Sequence, residues 1–334
     1  MSHRSVVSFI VNVCTGLRLS QRKTLGELVF GAMQCRRVSL ADIGRSLDSA
    51  AMAKHCIKRV YRFIANPRVE VAEGARALLH LASKHAQGRF VMALDWVDMR
   101  GYKVLRAAVP LRGRSVPVIF GAYEKWQLYK SQNNLEEGLV RLLKALTPPK
   151  SEIVLLADRG FARAEFARAL QEIGISYIIR LTGQAHFRSK KHQGRLDAIM
   201  LKPGQRRDLG FGAYRKQKPV RQRVLAYWGR GYREPWFLGS DLGWGWKKLV
   251  AAFQRRMLIE ELFRDEKNIR YGWGLRQLSL STKHRLERML LVLAFAYLFL
   301  LLLGLICAET MSPAHWAAGV SHKKKARRQL SAFY

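Results

Sequence analysis

Acidic side chains are scarce in this chain of 334 residues, where 24 Asp and Glu stand against 59 Lys and Arg for a formal net charge of +35. A chain so basic repels itself, and a polyanion relieves that repulsion, so a nucleic acid or an anionic membrane surface is the expected partner. Cysteine is scarce too. Cys14, Cys35, Cys56 and Cys307 form no CxxC pair, which leaves a zinc site or a disulfide framework without support and predicts buried free thiols in the reducing cytoplasm. There is no internal repeat and no long low-complexity segment. The apolar residues that follow Arg4 are interrupted by Ser8 and Asn12 and lead to no small-residue cleavage site, so a signal peptide is not expected.

Against that background a few carboxylates stand out by position. In Phe253-Gln-Arg-Arg256-Met-Leu-Ile-Glu260-Glu-Leu-Phe-Arg-Asp-Glu-Lys267, helical periodicity gathers Phe253, Arg256, Glu260 and Lys267 within an arc of about 60° and turns Leu258 and Leu262 toward a core. A carboxylate flanked by cations suits a metal-bound phosphodiester: Glu260 as an oxygen ligand for Mg2+ or Mn2+, Arg256 and Lys267 on phosphate oxygens. Taken alone, the stripe reads first as a solvated amphipathic helix face. Two further acids decide between these readings. Val91-Met-Ala-Leu-Asp95-Trp and Ile153-Val-Leu-Leu-Ala-Asp158-Arg-Gly-Phe are apolar runs that read as buried strands ending in an acid, a position poor for packing and good for a cleft.

The order of elements around these acids supplies an architecture. After the Asp95 strand come strands at Tyr102–Val109 and Ser115–Phe120, a helix over Asn134–Leu146, the Asp158 strand, a helix over Ala164–Ile173, and a strand over Ser176–Arg180. Three strands, helix, strand, helix, strand, helix is the order of a ribonuclease H-like α/β mixed sheet, which places acids on its first and fourth strands and on a late helix. From Asp158 to Glu260 is 102 positions, more than the intervening helix and strand fill. The surplus, 182–246, holds strand-like pieces at Gln222–Trp228 and Pro235–Gly239 and reads as a β-rich insertion.

With these residues in hand, the chain resembles DDE transposases of bacterial insertion sequences, in the group with the signature Tyr-x2-Arg-x3-Glu-x6-Lys. Here the signature runs Phe253-x2-Arg256-x3-Glu260-x6-Lys267, with Phe253 in the tyrosine position and so without any hydrogen bond a hydroxyl would make to DNA. The resemblance covers about residues 88–310. It implies that Asp95, Asp158 and Glu260 hold two divalent ions, Mg2+ or Mn2+, and that DNA ends are cut and joined through a hairpin intermediate by a homodimer acting on the terminal repeats and on target DNA. Asp98 ranks below these three as a ligand. The insertion resembles that of hairpin-forming relatives, which implies that Trp228, Trp236, Trp244 or Trp246 stacks on an extruded base, with Trp236 the expected DNA contact.

Residues 1–85 read as a separate helical domain. Ser39-Leu-Ala-Asp42 opens a short helix to Leu47, and a second helix runs from about Ala51 to Ala65 with Lys54, Lys58, Arg59 and Arg62 on the face opposite Cys56, Val60, Phe63 and Ile64. Two helices across a short turn, the second basic, suggest a helix-turn-helix reader of DNA, although a basic helical bundle gives the same pattern. The catalytic domain would then occupy 86–181 and 247–312, with a basic tail over 313–334. Met289–Ala308 is 20 residues without a charge, long enough to cross a bilayer. With no second span beside it, the expected role is that of a final core helix covering one face of the sheet. The whole reading is a cytoplasmic, DNA-associated transposase without a membrane partner; a metal-dependent nuclease on the same fold, or a DNA-binding regulator derived from a transposase, are the alternatives.

Overall fold

Five helices precede the first strand in the computed structural model, which describes residues 1–310 apart from 36, 87, 88 and 271. They are α1 (His3–Val13), α2 (Leu19–Gln34), α3 (Leu40–Arg45), α4 (Ala53–Ala65) and α5 (Val71–His85). Then come β1 (Arg89–Met99), β2 (Tyr102–Leu111), β3 (Arg114–Glu124), α6 (Lys125–Leu146), β4 (Glu152–Ala157), α7 (Ala164–Ile173) and β5 (Ser176–Arg180). Five more strands follow: β6 (His186–Ser189), β7 (His192–Arg195), β8 (Arg206–Tyr214), β9 (Val220–Tyr227) and β10 (Trp236–Ser240). The described chain ends in α8 (Trp246–Gln254), α9 (Leu258–Lys267) and α10 (Lys283–Thr310). The expected basic tail, 313–334, lies outside the described residues.

The chain divides into two compact units. One holds Met1–Leu78, Met99–Tyr102 and the chain from Leu262; the other holds Leu79–Asp98 and Lys103–Glu261.

The second unit is built on one mixed sheet of ten strands in the order β3-β2-β1-β4-β5-β10-β9-β8-β6-β7. β1, β4 and β5 are mutually parallel, while β10 runs antiparallel to β5 and begins an antiparallel run through β9, β8, β6 and β7. The β-rich insertion therefore extends the sheet through β10. Alternation along β4 and β5 sorts side chains to two faces. Val154, Leu156 and Ile178 pack with Leu249, Val250, Ala252 and Phe253 of α8. On the other face the Tyr177 hydroxyl accepts from Gln171 Nε2 of α7 at 3.1 Å, and α6 packs beside α7. α8, α6 and α7 thus cover the sheet in the places where a final apolar helix was expected to serve.

That apolar helix, α10, belongs to the helical unit, and this corrects the expectation. Its residues from Met289 to Tyr297 are buried all round, against α2 and α4. Phe299 meets Phe9 of α1 edge to face at 5.2 Å, and Leu291 fills the space over Gly74 of α5. Arg288 donates to the carbonyls of Val69 and Ile64, both at 3.1 Å, so the charged first turns of α10 also bind the end of α4. In the same unit, Ser39 caps α3: its Oγ accepts from Asp42 N at 3.0 Å and donates to Asp42 Oδ2 at 2.6 Å. α3 and α4 cross closely at Gly44, where a Cβ would stand 2.6 Å from Ile57 Cα.

Candidate active site

Buried β-strand residues bring two carboxylates together in the middle of the sheet, where the pairing of β1 with β4 ends. In β1, Met92, Ala93 and Leu94 are buried, and Leu94 pairs with Ala157 of parallel β4. The pairing stops there: Asp158 follows just past the end of β4, near enough to act on Asp95, which lies inside β1 and not at its end as the sequence had suggested. Past the end of β4, Asp158 caps the 3-10 turn Arg159–Phe161, its Oδ1 accepting from Gly160 N at 2.8 Å. Asp95 accepts from its neighbour Trp96 N at 2.8 Å through Oδ1 and from Arg256 Nη1 at 3.2 Å through Oδ2. Its side chain is only 18% exposed. Burial pushes the Asp95 carboxyl up to about 6; Arg256 pulls it back, Asp158 and Glu260 push it further, and the Trp96 amide lowers it. Asp98 lies apart, exposed and paired with Lys103 at 2.8 Å.

Arg256 links the third acid to the first. The expected continuous helix is interrupted: α8 ends at Gln254, a 3-10 turn spans Arg255–Met257, and α9 starts at Leu258. The tighter turn carries Arg256 inward, where it is 8% exposed and donates to Asp95 and, through Nη2, to Glu260 Oε1. In this arrangement its guanidinium is committed to carboxylates and not open to solvent, as the stripe had suggested. Glu260 remains 45% exposed at its side chain. Phe253 also leaves the stripe. It is 2% exposed within the cluster under α8, edge to face with Trp236 at 5.1 Å, because α8 buries Leu249, Val250 and Phe253 on one side.

The remaining expected contacts are distributed over both units. Trp236 is partly buried between Tyr232, at 4.5 Å, and Phe253, with the Arg180 guanidinium 5.9 Å from its ring. Trp244 and Trp246 are capped by Lys248 at 4.0 Å and Arg206 at 4.1 Å. Lys267, in the helical unit, lies over Phe263 at 5.7 Å. On α4, Lys54, Lys58 and Arg62 are exposed, whereas Arg59 pairs with Glu27 of α2 at 2.7 Å.

One acid beside the site went unread in the sequence. Glu136 of α6 is fully buried, accepting from Trp96 Nε1 at 2.8 Å and Gln132 Nε2 at 2.9 Å on Oε1, and pairing with Arg163 on Oε2. Burial pushes its carboxyl above the usual range, and the bonds from Gln132, Trp96 and Arg163 oppose that. A signal was available: Glu136 falls on the stripe of Leu139, Val140 and Leu143, where an exposed residue does not belong.

Among the described residues, no group of three His, Cys, Asp or Glu side chains is arranged to hold a metal ion. The donor chemistry nevertheless fits a hard divalent cation. Two carboxylates stand side by side, one of them raised by burial and by its acidic neighbours, and a bound cation relieves that conflict. Here Arg256 supplies the positive charge, and Glu260 reaches Asp95 only through it.

Comparison with known proteins gives the same direction. A family model described as "Transposase DDE domain" matches residues 127–299, just over half of the chain. The match spans Asp158 and Glu260 and begins after the Asp95 strand. No curated protein matches the chain. By the extent of that match, the chain belongs to the transposase DDE-domain family.

Proposed function

We propose that this protein cuts and joins the ends of an insertion sequence, by cut-and-paste through a hairpin intermediate, with Asp95, Asp158 and Glu260 as the acids that hold two divalent ions, Mg2+ or Mn2+. The observation that carries the reading is the adjacency of Asp95 and Asp158 where the parallel pairing of β1 with β4 ends, with Asp95 tied through Arg256 to Glu260, in a transposase-family chain. Bound there, divalent ions supply Lewis acidity that turns water, and later a freed 3′-OH, into a nucleophile toward phosphodiesters.

The chain's own part is positional. Asp95 and Asp158 are held by backbone donors, Trp96 N and Gly160 N, which leaves one oxygen of each carboxylate for other partners. A guanidinium that pairs with a carboxylate suits a phosphate oxygen equally well, so Arg256, released from Glu260, would hold the DNA backbone at the cleavage point, with Lys267 contacting phosphate further along. The signature group with Tyr-x2-Arg-x3-Glu-x6-Lys is the fitting subgroup, with Phe253 packing in the tyrosine position. Lys54, Lys58, Arg59 and Arg62 on α4 would meet the terminal repeats, Trp236 a base beside the cut, and two copies would hold two ends in the cytoplasm.

The test is cleavage of end DNA by single variants. Asp95→Ala, Asp158→Ala and Glu260→Ala should each abolish cutting in Mg2+ or Mn2+ while leaving DNA binding measurable, since every phosphate-contacting cation is kept. Near-wild-type cutting by any one removes that residue from the metal site. A wild-type protein that binds the ends and never cuts them would favour the regulator.

A further inference from the structure

We infer that Glu136 is a positioning residue that sets the two catalytic aspartates against each other, through a fork of hydrogen bonds with one arm to Asp95 and the other to Asp158. The inference rests on the function proposed above and adds a residue that the sequence motifs do not contain.

The first arm leaves Glu136 Oε1. It accepts from Trp96 Nε1 at 2.8 Å, and the backbone N of the same Trp96 donates to Asp95 Oδ1 at 2.8 Å. The Trp96 ring is further fixed by an edge contact to Tyr123 at 5.7 Å. The second arm leaves Oε2. It pairs with Arg163, whose Nη1 donates to Gly160 O at 2.5 Å, and Gly160 N donates to Asp158 Oδ1 at 2.8 Å. One carboxylate on α6 thus holds the residue after Asp95 and the turn after Asp158, the two segments whose spacing decides how the aspartates face a shared cation.

Packing alone does not account for this residue. A fully buried carboxylate carries a desolvation cost that its ion pair does no more than offset, and a leucine continuing the Leu139, Val140 and Leu143 stripe would fill the space with less conflict. What the carboxylate gives and the leucine lacks is direction: two oxygens, each aimed at a donor on a different catalytic segment. Outer-shell groups of this kind govern metal affinity and activity by about 10- to 100-fold.

The experiment compares the wild-type full chain with two variants. Glu136→Gln keeps an acceptor for Trp96 and loses the charged pair to Arg163. The triple change Glu136→Leu, Arg163→Met and Trp96→Phe removes the fork without stranding a buried charge; the donor it frees is Gln132 Nε2, which is only part-buried. Mn2+ affinity is measured by calorimetric titration with Asp95→Ala as the blank, beside thermal unfolding, end-DNA binding and single-turnover cleavage. Both variants should unfold within a few degrees of wild type and bind end DNA equally, yet lose about 10- to 100-fold in Mn2+ affinity and in cleavage, with Glu136→Gln the milder. A folded variant of either kind that binds Mn2+ and cuts within about twofold of wild type overturns the inference and leaves the proposed function standing. If the wild-type protein itself shows neither Asp95-dependent Mn2+ binding nor cleavage, both fall.

Discussion

Asp95 bears the sharpest electrostatic conflict in the site, a carboxyl pushed up to about 6 by burial while Asp158 and Glu260 add negative charge. Between the usual carboxylate value near 4 and about 6 the folded protein binds more protons than the unfolded chain, so this group lowers stability as pH rises through that window. The loss is on the order of 3 kcal/mol, a large share of a domain's net stability, and the proposed cation at Asp95 would recover it. Proton and metal would compete for the same oxygens. Mn2+ affinity should therefore be level above about pH 6 and weaken about tenfold per unit below it, as calorimetry from pH 5 to 8 would read. Arg256 holds the Asp95 carboxyl down. Arg256→Ala should accordingly move the break to higher pH, and Arg256→Lys should recover only part of the shift, because one ammonium replaces a guanidinium fork that spans two carboxylates. An affinity flat across the range would strike Asp95 from the ligands.

Elements separate fold from recognition most clearly at α3 and α4. Gly44 lets the two helices touch, and the nearest atom to an added Cβ is Ile57 Cα, with Ile57 N beside it, backbone that cannot rotate away. Gly44→Val should cost about 1–3 kcal/mol in thermal or urea unfolding and weaken end binding with it. Neutralising Lys54, Lys58 and Arg62 should leave stability within about 0.5 kcal/mol and reduce the salt slope of DNA binding by about one for each phosphate no longer neutralised. An unchanged slope in the triple variant would return α4 to an ordinary basic face. Elements with clean punctuation were legible in the sequence: α7 and β5 fall at the expected residues, with Gly174 at φ 73° closing α7. α6 begins nine residues before the expected Asn134, because its first turns expose Trp126 and Tyr129 and carry no apolar stripe. The break at Arg255–Met257 was hidden because each half keeps helical periodicity, and the arginine's inward turn comes from packing, not from propensity. β6, β7 and β8 escaped for a similar reason, being short, polar or glycine-bearing strands whose pairing is long-range.

At the scale of the whole chain, one apolar helix and a net charge of +35 can be met by either a membrane or a polyanion. α10 is long and apolar enough to cross a bilayer by length and composition. Its burial is graded, however. Leu290, Leu291, Leu293 and Phe295 are 2% exposed or less, while Leu302 and Ile306 are 37% and 55% exposed. A helix that serves as the core of the helical unit should follow that gradient. Leu293→Asp leaves an unpaired carboxylate in close packing, costing several kcal/mol against a net stability of about 5–15, and should unfold the unit that contains α1 to α4. Leu302→Asp and Ile306→Asp meet water and should change the unfolding midpoint little, with all but the first variant staying in the soluble fraction without detergent. A membrane-spanning helix predicts no such gradient, since a charge at any of these depths is costly in lipid, and the wild-type chain would then resist carbonate extraction. Equal damage at positions 293, 302 and 306, together with membrane sedimentation, would overturn the core role of α10 and with it the proposed DNA-binding role of the helical unit.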